Sequence, residues 1–311
     1  MRKTLLALCA SILAFGSMYA VPAKPGKPLT FTQSDGTTIQ VSMVGDEFRH
    51  SFVTTDGITV AQAENGDFYY RTPAGISDRL AHNATDRSAS EASWIASQPE
   101  ALSISATPNK ARKRAAAQKS PQVPGTGSPK IPILLVQYTD KKMSNTKEDF
   151  ETIYSKSAKS AKQYFVDQSR GKFSPQFDLY GIYTLSSNRA TYGGNDYNGN
   201  DKGVAKMVGE ACQLAEKEGI NWKDYDNDGD GECDVVIVVY AGVGEAQAYG
   251  VVPNAVWPCQ WQLSDAKIYG DGPGKLTLDG VCIDKFAVLN ETRGSSDSGT
   301  QRDGIGTFCH V

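Results

Sequence analysis

The stretch that decides the reading of this chain is Asp224-Tyr-Asp-Asn-Asp-Gly-Asp-Gly-Glu-Cys-Asp234, followed at once by Val235-Val-Ile-Val-Val-Tyr240. Acidic side chains stand at every second position: aspartates 224, 226, 228, 230 and 234, and Glu232. So much like charge in one short loop repels itself unless a cation neutralises it. A hard cation with oxygen ligands suits such a set, calcium better than magnesium or zinc. Gly229 and Gly231 let the backbone turn the carboxylates inward. The register that fits best takes Asp226, Asp228, Asp230 and Asp234 as the calcium ligands. A register beginning at Asp224 matches the first half of an EF-hand loop, but its twelfth position is Val235, where a bidentate glutamate is needed. The bland alternative is an acidic turn that binds nothing. The apolar run after Asp234 has the length and composition of a strand buried on both faces, so the loop feeds a sheet.

Outward from that point, strands and helices alternate. Ile131-Pro-Ile-Leu-Leu-Val-Gln-Tyr138 is a second continuous apolar run, and Phe177-Asp-Leu-Tyr-Gly-Ile-Tyr183 reads as a third strand. Phe150, Ile153, Tyr154, Ala158, Ala161 and Phe165 recur at helical spacing behind a Thr146/Asp149 capping pair. Val204, Met207, Val208, Ala211 and Ala215 mark another helix, stopping near Gly219. The alternation predicts a layered α/β domain over 131–311, within a chain that is α+β overall.

Residues 21–100 read differently. Ser34-Asp-Gly36, Thr55-Asp-Gly57 and Glu64-Asn-Gly-Asp67 are turn clusters separating Thr38-Ile-Gln-Val-Ser-Met-Val44, Glu47-Phe-Arg-His-Ser-Phe-Val53 and Phe68-Tyr-Tyr70. Alternation between such turns predicts a small antiparallel meander. His50 is read there as facing away from Phe48 and Phe52. A short helix is expected over 86–98, around Trp94. Residues 101–130 carry four prolines and the basic tract Lys110-Ala-Arg-Lys-Arg114, and are expected to form a tether. Arg112, Lys113 and Arg114 are candidate sites for an activating cut. A plain solvated tether explains the same residues.

The N-terminus gives the destination. Arg2 and Lys3 precede an apolar stretch from Leu5 to Phe15 and end at Ala20, the pattern of a secretory signal peptide over 1–20. The expected location is outside the cell or in the periplasm, with no membrane span. Removing Arg2 and Lys3 from 32 basic residues leaves 30 against 35 acidic ones, a net charge of −5. That argues against nucleic acid as a partner. Five cysteines follow the leader: Cys212, Cys233, Cys259, Cys282 and Cys309. None forms a C-x-x-C pair, so a zinc knuckle is not supported. Cys259 with Cys282 is one possible bridge, and buried free thiols are the other reading.

In order along the chain stand the leader, Gln33-Ser-Asp-Gly-Thr37, Gly45-Asp-Glu-Phe48, Thr55-Asp-Gly57, the tether, Ile133-Leu-Leu-Val-Gln-Tyr-Thr-Asp140, Ser160-Ala-Lys-Gln-Tyr-Phe165 and Asp167-Gln-Ser-Arg-Gly171. Tyr192-Gly-Gly194, the acidic loop, Tyr240-Ala-Gly242 and Gly306-Thr-Phe-Cys-His310 complete the series. This order resembles the immune inhibitor A family of secreted zinc metallopeptidases. The resemblance implies a zymogen: a propeptide-like β-rich block, then a zincin-type peptidase domain that also binds calcium and acts on protein or peptide substrates. It further implies that His310 is the first zinc ligand of a His-Glu-x-x-His helix. Val311 stands where the family has its general base, and the second histidine is not in the sequence. The domain is therefore expected to be truncated and the chain, as written, inactive and unable to hold zinc tightly. The alternative is a non-catalytic, secreted calcium-binding protein. A truncated domain is also expected to leave the strands near 281–289 uncovered.

Overall fold

The computed structural model describes residues 28–98 and 123–310, apart from 47–48, 64, 73–74, 197–199, 249–251, 253 and 295. The expected leader, the basic tract Arg112 to Arg114, and Val311 lie outside the described residues.

The N-terminal block is a six-stranded antiparallel meander in sequence order: β1 (Leu29–Thr32), β2 (Thr38–Asp46), β3 (Arg49–Thr54), β4 (Thr59–Gln62), β5 (Phe68–Thr72) and β6 (Gly75–Leu80). The β1–β2, β3–β4 and β4–β5 turns fall at Asp-Gly and Asn-Gly pairs. Gly36, Gly57 and Gly66 sit at φ of 84°, 86° and 89°, and their N–H groups donate to Gln33, Thr54 and Ala63 carbonyls. A side chain there would force a strained left-handed conformation, which is why these dipeptides mark the turns. Helix α1 (Ala89–Ala96), capped by Ser88, lies on the sheet. Ile39, Val41, Val60, Phe68, Tyr70 and Ala81 form the core beneath it. Tyr70 Oη donates to Glu91 Oε1 at 2.6 Å, so the one buried acid of that helix is satisfied.

His50 does not face away from Phe52. Residues two apart on a strand share a face, and the register pairs Gly45 with His50 and Met43 with Phe52. His50 is buried, only 3% exposed, on the apolar side.

The second block is built on a five-stranded sheet in the order β10-β13-β9-β7-β8. Here β7 is Lys130–Gln137, β8 Gln176–Thr184, β9 Val236–Val243, β10 Cys259–Gln262 and β13 Lys285–Thr292. The first three and β13 run parallel, and β10 is an antiparallel edge strand. A small hairpin, β11 (Leu276–Leu278) and β12 (Val281–Ile283), stands beside it. Side chains alternate between two cores. Leu134, Val136, Val238 and Val288 face the layer of α4 (Arg189–Gly193), α5 (Val204–Lys217) and α7 (Leu263–Ile268). Ile133, Leu135, Ile237, Val239, Ala287 and Leu289 face the opposite layer, which holds α2 (Lys147–Glu151), α3 (Ala161–Gln168) and α8 (Ile305–His310). Helices on both faces explain why β7 and β9 read as unbroken apolar runs.

Three expectations are corrected. The helix read over 146–165 is two: α2 runs into a π-helical turn, Thr152–Lys156, and the chain then leaves helical geometry at Ser157. Ser160 restarts it, its Oγ accepting from Gln163 N at 3.2 Å. The tether ends before 130, because Val123 packs on the second core and Gly127 pairs with Phe173. The strands near 281–289 are not uncovered: Phe286, Ala287, Val288 and Leu289 are all buried.

Candidate metal centres

The acidic loop follows a 3₁₀ turn, Trp222–Tyr225, whose Trp222 and Tyr225 are buried in the first core. Beyond it the backbone folds back through Gly229 at φ 74° and Gly231 at φ 87°, where a Cβ would be strained. The carboxylates organise the loop from inside. Asp226 accepts from Asp230 N and from Gly231 N, both at 3.0 Å. Asp228 accepts from Asp230 N at 3.3 Å, and Asp230 from Glu232 N at 2.9 Å. One oxygen from each of Asp226, Asp228 and Asp230 lies within 4.8 Å of the others. Among the described residues this is the one group of three or more His, Cys, Asp or Glu side chains so arranged.

Asp234 lies at the loop's base and is only 2% exposed. Its Oδ2 accepts from Asn227 Nδ2 at 2.7 Å, while its Oδ1 is buried without a hydrogen-bond partner. Burial, with repulsion from Asp228 and Asp230, pushes its carboxyl up to about 6, against the Asn227 hydrogen bond that favours the ion. The three converging carboxylates are Asp226, Asp228 and Asp230, an all-oxygen set suited to a hard cation and ill-suited to zinc; Asp234 lies outside that group, with an orphaned buried oxygen at the loop's base. Asp224 stands apart, 3.2 Å from Lys130 Nζ, and Glu232 turns to Lys275 Nζ at 3.3 Å.

Asn227 is the site residue that alternation hides. Its Oδ1 accepts from Lys130 N at 2.8 Å and its Nδ2 donates to Lys130 O at 3.0 Å. One amide thus pins the loop to the start of β7 while orienting Asp234. On the other side Cys233 N donates to Cys282 O at 2.8 Å and Cys282 N to Gly231 O at 2.9 Å, which fastens the loop to β12. All five described cysteines are free thiols, so the Cys259–Cys282 bridge is not formed. Burial pushes the Cys233 thiol up to about 12, an inert side chain by that measure.

His310 is the last residue of α8, on the sheet face opposite α5. The helix is seated by Phe308, which stacks on Tyr154 at 4.4 Å and meets Phe177 edge-on at 5.1 Å. The segment leading into it is tied to the end of β13 by Asp303, whose N–H donates to Glu291 O at 2.9 Å, and the buried Glu291 side chain holds a different neighbour. Glu291 Oε1 accepts from Ser144 N (2.6 Å), Asn145 N (2.8 Å) and Asn145 Nδ2 (2.9 Å), and its Oε2 accepts from Gly242 N (3.0 Å). Asn290 Nδ2 and Gln247 Nε2 both donate to Asp303 Oδ2, at 3.1 and 3.0 Å. Four donors on one buried carboxylate make Glu291 a clamp between β9, β13 and the loop ahead of α2. Nothing in its sequence neighbourhood announces that role.

Residues 136–310 match the immune inhibitor A peptidase M6 catalytic domain. The chain belongs to this family of metallopeptidases. It is similar to the pre-pro-metalloprotease PrtV of Vibrio cholerae serotype O1, strain M66-2, at 32% identity over 120 residues, 33% of this chain and 13% of that protein. It is also similar to immune inhibitor A of Bacillus thuringiensis subsp. alesti, at 23% identity over 193 residues, 49% of this chain and 27% of that protein. The match therefore spans well under a third of either relative's own length. No helix among the described residues is long and apolar enough to cross a membrane.

Proposed function

We propose that this scaffold serves a secreted or periplasmic zinc metalloendopeptidase that hydrolyses protein or peptide substrates. In this reading residues 21–100 are its propeptide, Arg112 to Arg114 its activation site and His310 its first zinc ligand. The observation that carries the reading is the catalytic-domain match that runs to His310 at the end of α8. Zinc bound by the family's full ligand set supplies an acidified water for attack on the peptide bond. Residues 1–311 do not fit that ion by themselves. A catalytic zinc takes three protein ligands, and the side-chain cluster found among the described residues is all oxygen and belongs to another loop. Val311 cannot accept a proton. Residues 1–311 alone are therefore inactive in this reading, and their part is to build the sheet, seat α8 through Phe308 and hold its lead-in through Glu291 and Asp303.

Asp226, Asp228, Asp230 and Asp234 hold calcium, which neutralises the loop and fixes the entry to β9. This last point also supports a second reading, a non-catalytic secreted calcium-binding protein. Hydrolysis separates the two. A polypeptide continued with Glu at 311 and the rest of the family's helix should cut casein only with zinc, and lose activity on His310→Ala. Failure to cut under any metal condition would leave the second reading standing.

A further inference from the structure

The apolar face of the N-terminal meander does not end with its own core. Along β2, Ile39 and Val41 pack under α1, but Met43, next on the same face, belongs to a separate buried cluster with Ala246 and Trp257 of the α/β block. Phe52, the register partner of Met43, touches both clusters. Further out on hairpin β2–β3, the His50 ring stacks on Trp257 with centroids 4.3 Å apart and planes at 24°. His50 Nε2 lies 3.3 Å from Glu245 Oε2. Glu245 opens the short helix α6 (Glu245–Ala248), directly beyond β9, and is only 1% exposed. Its other oxygen accepts from Asn195 Nδ2 at 2.8 Å, and its N–H donates to Val256 O at 3.0 Å. Trp257 N in turn donates to Asp201 Oδ2 at 2.8 Å. The socket residues are thus held by their own domain, and the hairpin supplies what fills them.

We propose that His50, Met43 and Phe52 form a key, and Glu245, Ala246 and Trp257 its socket, through which the N-terminal block stays bound to the α/β block after the tether is cut. The consequence rests on the propeptide reading above: cleavage near Arg112 to Arg114 is then not release, and a second event must remove the block. Three features argue for retention. The tryptophan is fully desolvated at the centre of the contact, the arrangement in which binding energy concentrates. The ring stack adds to the area it buries. The Glu245 carboxylate faces the imidazole at 3.3 Å within the buried contact, so a polar pair fixes the register of the two blocks as well as apolar surface.

The test places a site-specific protease sequence within residues 115–120 of the full chain, so the cut does not depend on natural activation. After cleavage the two pieces are run on a size-exclusion column at micromolar concentration, and their dissociation constant is measured. Wild-type pieces should co-elute. His50→Ala should weaken binding roughly thirtyfold, the effect of losing a central anchor. Glu245→Gln, which keeps an oxygen for Asn195, should weaken it roughly tenfold. Cooperative melting of each uncut variant confirms that it folds. Separation of the wild-type pieces, or His50→Ala pieces that bind as tightly as wild type, would overturn the proposal. If instead the propeptide reading is wrong, the pieces still co-elute and removing the block leaves the activity of a completed enzyme unchanged.

Discussion

Replacing Asp234 by asparagine should raise the stability of this chain without calcium and leave it near wild type with calcium. In chelator at pH 8, wild type must keep the buried Asp234 carboxyl ionised although its folded value is about 6, against an ordinary 3.8. The folded chain holds that proton more tightly than the unfolded one. The contribution therefore favours folding below 3.8 and is lost as pH rises through about 6. At pH 8 the cost of the ion is about 3 kcal/mol. Asparagine carries no charge and relieves it, which in a domain of this size raises the melting temperature by about 6–12 °C. Calcium closes the gap. At a hundredfold excess over its dissociation constant the ion stabilises wild type by about 2.7 kcal/mol, or about 5–10 °C. The variant, short of one ligand charge, should respond little. The assay is thermal unfolding by circular dichroism, in chelator and in calcium. A wild-type melt indifferent to calcium, or an Asp234→Asn melt that falls in chelator and still rises fully with calcium, would refute the reasoning.

Other outcomes follow from single contacts. Asn227→Ala removes the amide that joins Lys130 to Asp234, and should cost about 1–3 kcal/mol by leaving both with unpaired groups; urea unfolding reads it. Gly193→Ala places a methyl 2.5 Å from Asn254 O and 2.8 Å from Val256 N, backbone atoms that cannot step aside, and should destabilise by about 1–3 kcal/mol; an unchanged melt would show that the segment 254–256 gives way. Burial pulls the His82 imidazole down, but hydrogen bonds to Glu91 and Asp35 outweigh it and leave it above the ordinary 6.5. The stability it brings is present below 6.5 and is lost as pH rises through the folded value, so the advantage of wild type over His82→Gln should shrink as pH rises from 5.5 through that raised value. Limited trypsin should cut first around Arg112 to Arg114; first cuts within 175–240 would contradict the tether.

Much of the fold was legible because its signals are local. Continuous apolar runs gave β7 and β9, Asp-Gly and Asn-Gly pairs gave the meander turns, and alternate aspartates gave the loop. The misreadings have local causes too. Helical spacing persists across Ser157 although two serines interrupt the helix there. Proline near 124 and 129 reads as tether, yet a proline-bearing segment can run along a sheet as 123–129 does. What stayed hidden depends on distant pairs. Glu291 reaches residues 144 and 145, Asn227 reaches Lys130, and His50 meets Trp257. No window of sequence contains both partners of any of these.

In the function proposed above, this scaffold serves a zinc peptidase whose metal ligands begin at His310. The most direct measurement is casein hydrolysis by the purified chain, with zinc and calcium and after removal of its first 114 residues. It should run beside a polypeptide carrying Glu at 311 and the family's remaining helix and ligands. The extended polypeptide alone should show zinc-dependent cleavage, abolished by His310→Ala. Zinc-dependent cleavage by the 311-residue chain, lost on His310→Ala, would contradict its inactivity, and no cleavage by the extended polypeptide would contradict the peptidase reading itself.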